Sequence, residues 1–217
     1  MGLAKGTAHI VLVPVIFSVL LILLGIFLRP GLFSGYYFAI LLSLFMAGLL
    51  ACFFRDPERG LADGIVSPAD GYIQRIEEVD EDERKYFKIV TFMNVHNVHV
   101  NRAPIDGKVV KLLHFVGSHI PAYKKESERN ERVTILLDTS IGKVKIVQIA
   151  GIVARRIVPY IREGEEIKKG DRIGIIRLGS RVDLYLPKDK VELTVKEGEK
   201  VYAGSSRLAK DLQEVKY

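Results

Sequence analysis

Charge is missing from the beginning of this chain. No acidic residue precedes Asp56, and only Lys5 and Arg29 carry positive charge before Arg55. Such a stretch has no face to turn toward water, so it excludes a solvated domain there. Cysteine is nearly absent too. The single one, Cys52, rules out an internal disulfide framework and suits a reducing compartment. Three chemical signatures are also lacking. No Gly-x-Ser-x-Gly elbow occurs, which argues against an ordinary serine hydrolase. No lysine sits at the tip of a Met-Lys-Met-type hairpin, which disfavours a biotinyl or acyl carrier. His96 and His99 are spaced for one helix face, but no third ligand accompanies them, so no metal is expected.

The uncharged beginning contains two apolar runs of spanning length, Ile10 to Leu28 and Leu32 to Phe54, separated by the turn signal Arg29-Pro30-Gly31. A cleaved signal peptide fits poorly, because the basic end is a lone lysine and no small-residue cleavage site follows. The pattern predicts a two-helix transmembrane hairpin over residues 1–55, with helices at about 10–28 and 32–54. Lys5, Arg55 and Arg59 flank its ends while Arg29 lies at the tip, which places both ends on the cytoplasmic side of a cell membrane. Tyr36 and Tyr37 suit an interfacial belt.

The remainder, residues 56–217, holds all 26 acids and all but three of the 32 basic residues, a net +3. That modest surplus suits an anionic membrane leaflet; no nucleic-acid partner is expected. The body reads as mainly β, a compact sandwich or barrel-like domain of short strands and Gly turns. Strands are expected at Lys88 to Met93, Leu112 to Val116, Val133 to Leu137 and Gly142 to Ile149. Glu77 to Lys85 reads as a solvated hairpin tip. His119 to Arg132 reads as a polar loop, with a substrate-entry lid as its functional version. Ile161 to Gly174 resembles Val195 to Gly204, a repeated pair of charged Gly turns of the kind found in lipoyl and biotinyl modules.

The stretch around Gly179 and Ser180 carries the chemistry. Ile173, Ile175, Ile176 and Leu178 precede the pair; Val182, Leu184 and Leu186 follow, alternating with Arg181, Asp183 and Tyr185 as in a half-buried strand. A tight turn is the plain reading. The alternative is self-cleavage, in which the Ser180 hydroxyl attacks the unhindered carbonyl of Gly179, turning amide into ester. Elimination would then leave a pyruvoyl cap on a new chain starting at position 180. The Gly204-Ser205 pair lacks the flanking strand and is set aside. Asp70, in a Pro68 to Gly71 turn, is by itself a turn former. His96 and His99 are core histidines or acid–base groups. Arg155 and Arg156 could hold a phosphate bidentately, although a solvated pair is the default.

Six blocks carry a family resemblance: Phe53-Phe-Arg-Asp-Pro57, Ser67-Pro-Ala-Asp-Gly71, His96-Asn-Val-His99, Asn130-Glu-Arg132, Gln148 to Arg156 and Leu178 to Pro187. In this order they resemble the phosphatidylserine decarboxylase family, and more narrowly its short prokaryotic branch, which includes archaetidylserine decarboxylases. The resemblance implies a pyruvoyl-dependent lipid decarboxylase matured by autocatalytic serinolysis at Gly179 and Ser180. Ser180 is then the nucleophile and source of the pyruvoyl group, with His99 and Asp70 as its partners and His96 as a proton-transfer group in decarboxylation. It implies two associated cleaved chains, 1–179 and 180–217, a phospholipid substrate in the bilayer and a membrane location. Ester-linked acyl and ether-linked isoprenoid tails both remain open, as does assembly beyond the cleaved pair. The rival is a membrane-tethered lipoyl-like binding or adaptor module without catalysis, motivated by the Gly-turn repeat.

Overall fold

The structure is a computed structural model that describes residues 2–28, 34–81, 83–117, 130–151, 156–177 and 180–212. It divides into two compact units, Met1–Glu58 and Arg59–Tyr217.

The first unit contains β1 (Gly2–Leu3), α1 (Ala8–Leu28), α2 (Ser34–Phe53) and β2 (Arg55–Asp56). Both helices are long and apolar enough to cross a membrane. They run antiparallel. The Ser43 hydroxyl of α2 donates to the Pro14 carbonyl of α1 at 2.7 Å, and the Tyr36 hydroxyl donates to the Leu21 carbonyl. Polar ties of this kind hold helices together where no hydrophobic difference separates neighbour from solvent. Large apolar side chains point outward, Phe27 being 89% and Leu41 67% exposed. Water penalises such a surface and lipid does not.

The second unit is built from strands: β3 (Ile65–Val66), β4 (Gly71–Glu81), β5 (Arg84–Met93), β6 (Val100–Arg102), β7 (Gly107–Phe115), β8 (Arg132–Thr139), β9 (Gly142–Ala150), β10 (Ile157–Pro159), β11 (Glu166–Ile167), β12 (Arg172–Ile176), β13 (Ser180–Pro187), β14 (Val191–Leu193), β15 (Lys200–Val201) and β16 (Arg207–Asp211). Eight of them form a curled sheet, a half-barrel, in the order β11-β7-β8-β9-β13-β5-β4-β15. Two three-stranded sheets, β10-β12-β6 and β14-β16-β3, accompany it. The mainly β expectation for the body therefore holds, as does the hairpin of apolar helices before it.

Glu77 to Lys85 is the solvated hairpin tip expected, its strands reaching close to the turn, with Glu77 opposite Lys88, Asp80 opposite Lys85 and Glu81 opposite Arg84. Opposite charges across an antiparallel ladder stabilise the pair, so a charged run can extend a strand. The late repeat is real in backbone terms. Gly164 and Gly170 match Gly198 and Gly204, with φ of 83°, 88°, 84° and 77°. These are left-handed conformations that only glycine adopts cheaply.

Strand β13 lies at the middle of the large sheet, between β9 and β5. Its alternation is the one read from the sequence. Val182, Leu184 and Leu186 enter the core with Ile89, Ile135, Ile146, Ile173 and Ile176. The other face is unusual, because Arg181 and Asp183 are buried as well, at 0% and 1% exposure. Arg181 donates to Asp183 through Nε at 2.8 Å and Nη2 at 2.9 Å, and Lys88 Nζ lies 3.5 Å from the same carboxylate. Burial pushes the Asp183 carboxyl up from its ordinary value, while Arg181 and Lys88 pull it back. Burial likewise raises the neighbouring Tyr185 phenol to about 12. Removing one partner strands a desolvated charge. Asp183→Asn is therefore expected to cost about 3–5 kcal/mol of unfolding free energy, measured by denaturant titration of the full chain in detergent.

Candidate active site

The ends of several strands meet at one edge of the β unit, and Ser180 and the Asp70-Gly71 pair lie there. β13 opens with Ser180, which pairs with Met93, the last residue of β5, and with Ala150, the last of β9. β4 starts at Gly71, one residue after Asp70, and Tyr72 pairs with Phe92. A Cβ at position 71 would collide with the Phe92 carbonyl, which is why the Asp70-Gly71 pair needs glycine. The loop 94–99 carries the chain from the end of β5 to the start of β6. Its last residue, His99, accepts a backbone hydrogen bond from Ile176 at the end of β12.

Ser180 is fully buried. Its hydroxyl donates to the thioether Sδ of Met93 at 3.2 Å. His99 is also fully buried, and its Nδ1 lies 2.8 Å from the Asn97 carbonyl oxygen. A carbonyl only accepts, so Nδ1 carries the hydrogen and Nε2 keeps its lone pair. The ring is thus held in the tautomer that a general base requires.

One Asp70 carboxylate oxygen accepts from Arg59 Nη2 at 2.7 Å, and the other accepts from the Ala203 amide at 2.9 Å. His96 stands apart from His99 in a second respect, because it is exposed on the same loop. Arg156 is exposed just before β10. Arg155, Leu178 and Gly179 lie outside the described residues, as does most of the expected lid. From that segment Asn130 and Glu131 are described. Asn130 Nδ2 donates to the Ala150 carbonyl at 2.8 Å, and Glu131 Oε1 accepts from the Ile157 amide at 3.0 Å. The rejected pair Gly204 and Ser205 does form a turn, with the Ser205 hydroxyl on the Gly60 carbonyl at 2.8 Å.

Sequence reasoning missed a buried polar trio. Gln148 Nε2 donates to Asn101 Oδ1 at 2.7 Å, and Asn101 Nδ2 faces Met93 Sδ at 3.8 Å. The signal was there: Gln148 sits in an apolar run, and Asn101 follows two valines and a histidine. Polar residues inside such runs are either turned outward or kept for a purpose.

Comparison with known proteins points to one family. A family model described as phosphatidylserine decarboxylase matches residues 46–209. The phosphatidylserine decarboxylase proenzyme of Streptomyces avermitilis is 49% identical over 166 residues, covering 76% of this chain and 75% of that protein. The one from Syntrophus aciditrophicus is 49% identical over 172 residues, covering 75% and 80%. A Methanococcoides burtonii protein, provisionally named archaetidylserine decarboxylase proenzyme, is 43% identical over 194 residues, covering 87% and 89%. The class is therefore that of an enzyme, a phospholipid decarboxylase, and not of a non-catalytic tethered module. The chain belongs to the phosphatidylserine decarboxylase family.

Proposed function

We propose that the chain is a proenzyme that cuts itself between Gly179 and Ser180 and then decarboxylates a serine phospholipid held in the bilayer. The observation that carries this reading is the burial of Ser180 at the start of β13, at the same strand edge as a histidine in the base tautomer. In the first step Ser180 Oγ bonds to the Gly179 carbonyl carbon and the Gly179–Ser180 C–N bond breaks. The hydroxyl proton passes by way of His99 Nε2 to the released amine. In the second step the Ser180 Cα proton is removed and the Cβ–Oγ bond breaks, so the oxygen leaves with the Gly179 carboxylate. Water then displaces the nitrogen as ammonia, leaving a ketone on residue 180 whose Cβ is a methyl.

The residues around Ser180 fit such a group. Its side chain sits against a thioether, which tolerates a hydroxyl and a methyl alike. A pyruvoyl group supplies an electron sink for the pair released when carbon dioxide leaves. The chain's own residues supply the rest. His96, exposed on the loop beside His99, is placed to return a proton to the former α-carbon. Arg155 and Arg156 are the candidates for the lipid phosphate. Asp70 is held by an ion pair to Arg59.

The substrate is phosphatidylserine or its ether-lipid counterpart, as the names of the relatives suggest. Such a lipid stays in the membrane, and two spanning helices keep the enzyme beside it. With Lys5, Arg55 and Arg59 at the hairpin ends, the β unit lies on the cytoplasmic side. The cleaved chains 1–179 and 180–217 remain associated, because β13 is the middle strand of the large sheet. Intact mass under denaturing conditions tests the reading. Two fragments meeting at Gly179 and Ser180 are expected, the smaller without a free amino terminus. A single chain that stays uncut for days in detergent overturns it.

A further inference from the structure

The Ser180 hydroxyl faces the wrong partner for attack. Among the described residues its hydrogen bond goes to Met93 Sδ, at 3.2 Å, and not to His99. The contact is built into the fold. Ser180 and Met93 are directly opposed on β13 and β5, and both are fully buried. The sulfur is itself held in place. Asn101 Nδ2 approaches it at 3.8 Å, and Gln148 Nε2, from β9, fixes the Asn101 amide at 2.7 Å. All four residues are at most 0% exposed, so water does not compete for the hydroxyl.

A thioether is a weak acceptor. It satisfies a buried hydroxyl well enough to select one rotamer, yet releases it at little cost. A strong acceptor at the same place would trap the nucleophile.

We propose that Met93, fixed by Asn101 and Gln148, is a positioning residue that parks the Ser180 hydroxyl in the precursor, so that its release from sulfur toward His99 precedes self-cleavage. This rests on the reading of Ser180 as the internal nucleophile. Only the rotation is new: the bonds formed and broken, and the path of the proton through His99 Nε2, are those given for the first cleavage step. The cleavage rate then scales with the fraction of chains whose hydroxyl is off the sulfur.

The test follows cleavage of full-length chain made by cell-free synthesis into lipid nanodiscs, sampled over time on denaturing gels. Met93→Leu keeps the volume and removes the acceptor, a swap that cores tolerate. It is expected to cleave roughly threefold faster than the unaltered chain, the worth of a weak hydrogen bond. Met93→Gln offers a strong acceptor and is expected to cleave about tenfold slower. A merely structural contact predicts the opposite for leucine, namely slower cleavage with a lower melting temperature. Leucine at or below the unaltered rate overturns the proposal, as does a folded glutamine chain that cleaves as fast as the unaltered one. If melting curves show the glutamine chain unfolded, leucine alone decides. An unaltered chain that never cleaves is a different result, which removes the nucleophile reading itself.

Discussion

Ser180→Ala is expected to yield one uncut chain of 24.4 kDa with no measurable decarboxylation. Two losses coincide in this variant. On the proposed reading, the nucleophile for self-cleavage is gone, and with it the source of the ketone that takes up the electrons. The fall in turnover is on the order of 10⁴-fold or more, the scale seen when a covalent catalytic group is deleted. Stability should barely move, because the hydroxyl's one described partner is a sulfur. Losing such a bond costs about 1 kcal/mol or less. An uncut chain with a near-native melting curve supports the assignment. Decarboxylation by the alanine chain, measured as release of labelled carbon dioxide from a serine lipid, overturns it.

His99→Ala has the second largest expected effect, on maturation and not first on turnover. A positioned general base contributes roughly 10²–10⁴-fold, so cleavage should slow to an all but stalled precursor. In the alanine chain added imidazole should restore part of the rate by filling the space left by a fully buried ring. A His99→Ala chain that matures as rapidly as the unaltered one would falsify the role of His99 and direct attention to another base.

Much of this was legible from local pattern. The hairpin follows from two uncharged runs, since a helix apolar on every side has no stable place in water. β13 follows from the strict alternation after Ser180, and the repeated Gly turns follow from glycine's access to positive φ. The charged run Glu77 to Lys85 was legible as a hairpin tip, but composition alone does not reveal that Glu77, Asp80 and Glu81 meet bases across the ladder. The partners of the catalytic edge were illegible for a related reason. Nothing near Asp70 announces that its carboxylate meets Arg59 and the Ala203 amide, and nothing near His99 announces that a backbone carbonyl holds its ring.

The sequence by itself determined the two-part organisation and the β character of the body, and its family resemblance marked Ser180, His99 and Asp70 as the residues worth watching. The first two depend on the period of side chains along one segment; the third rests on matched motifs. Tertiary structure alone decided which groups touch. Ser180 meets Met93 across 87 positions of chain, and Gln148 meets Asn101 across 47. Those contacts are set by strand order and register, and a one-residue slip would turn every one of these side chains to the opposite face.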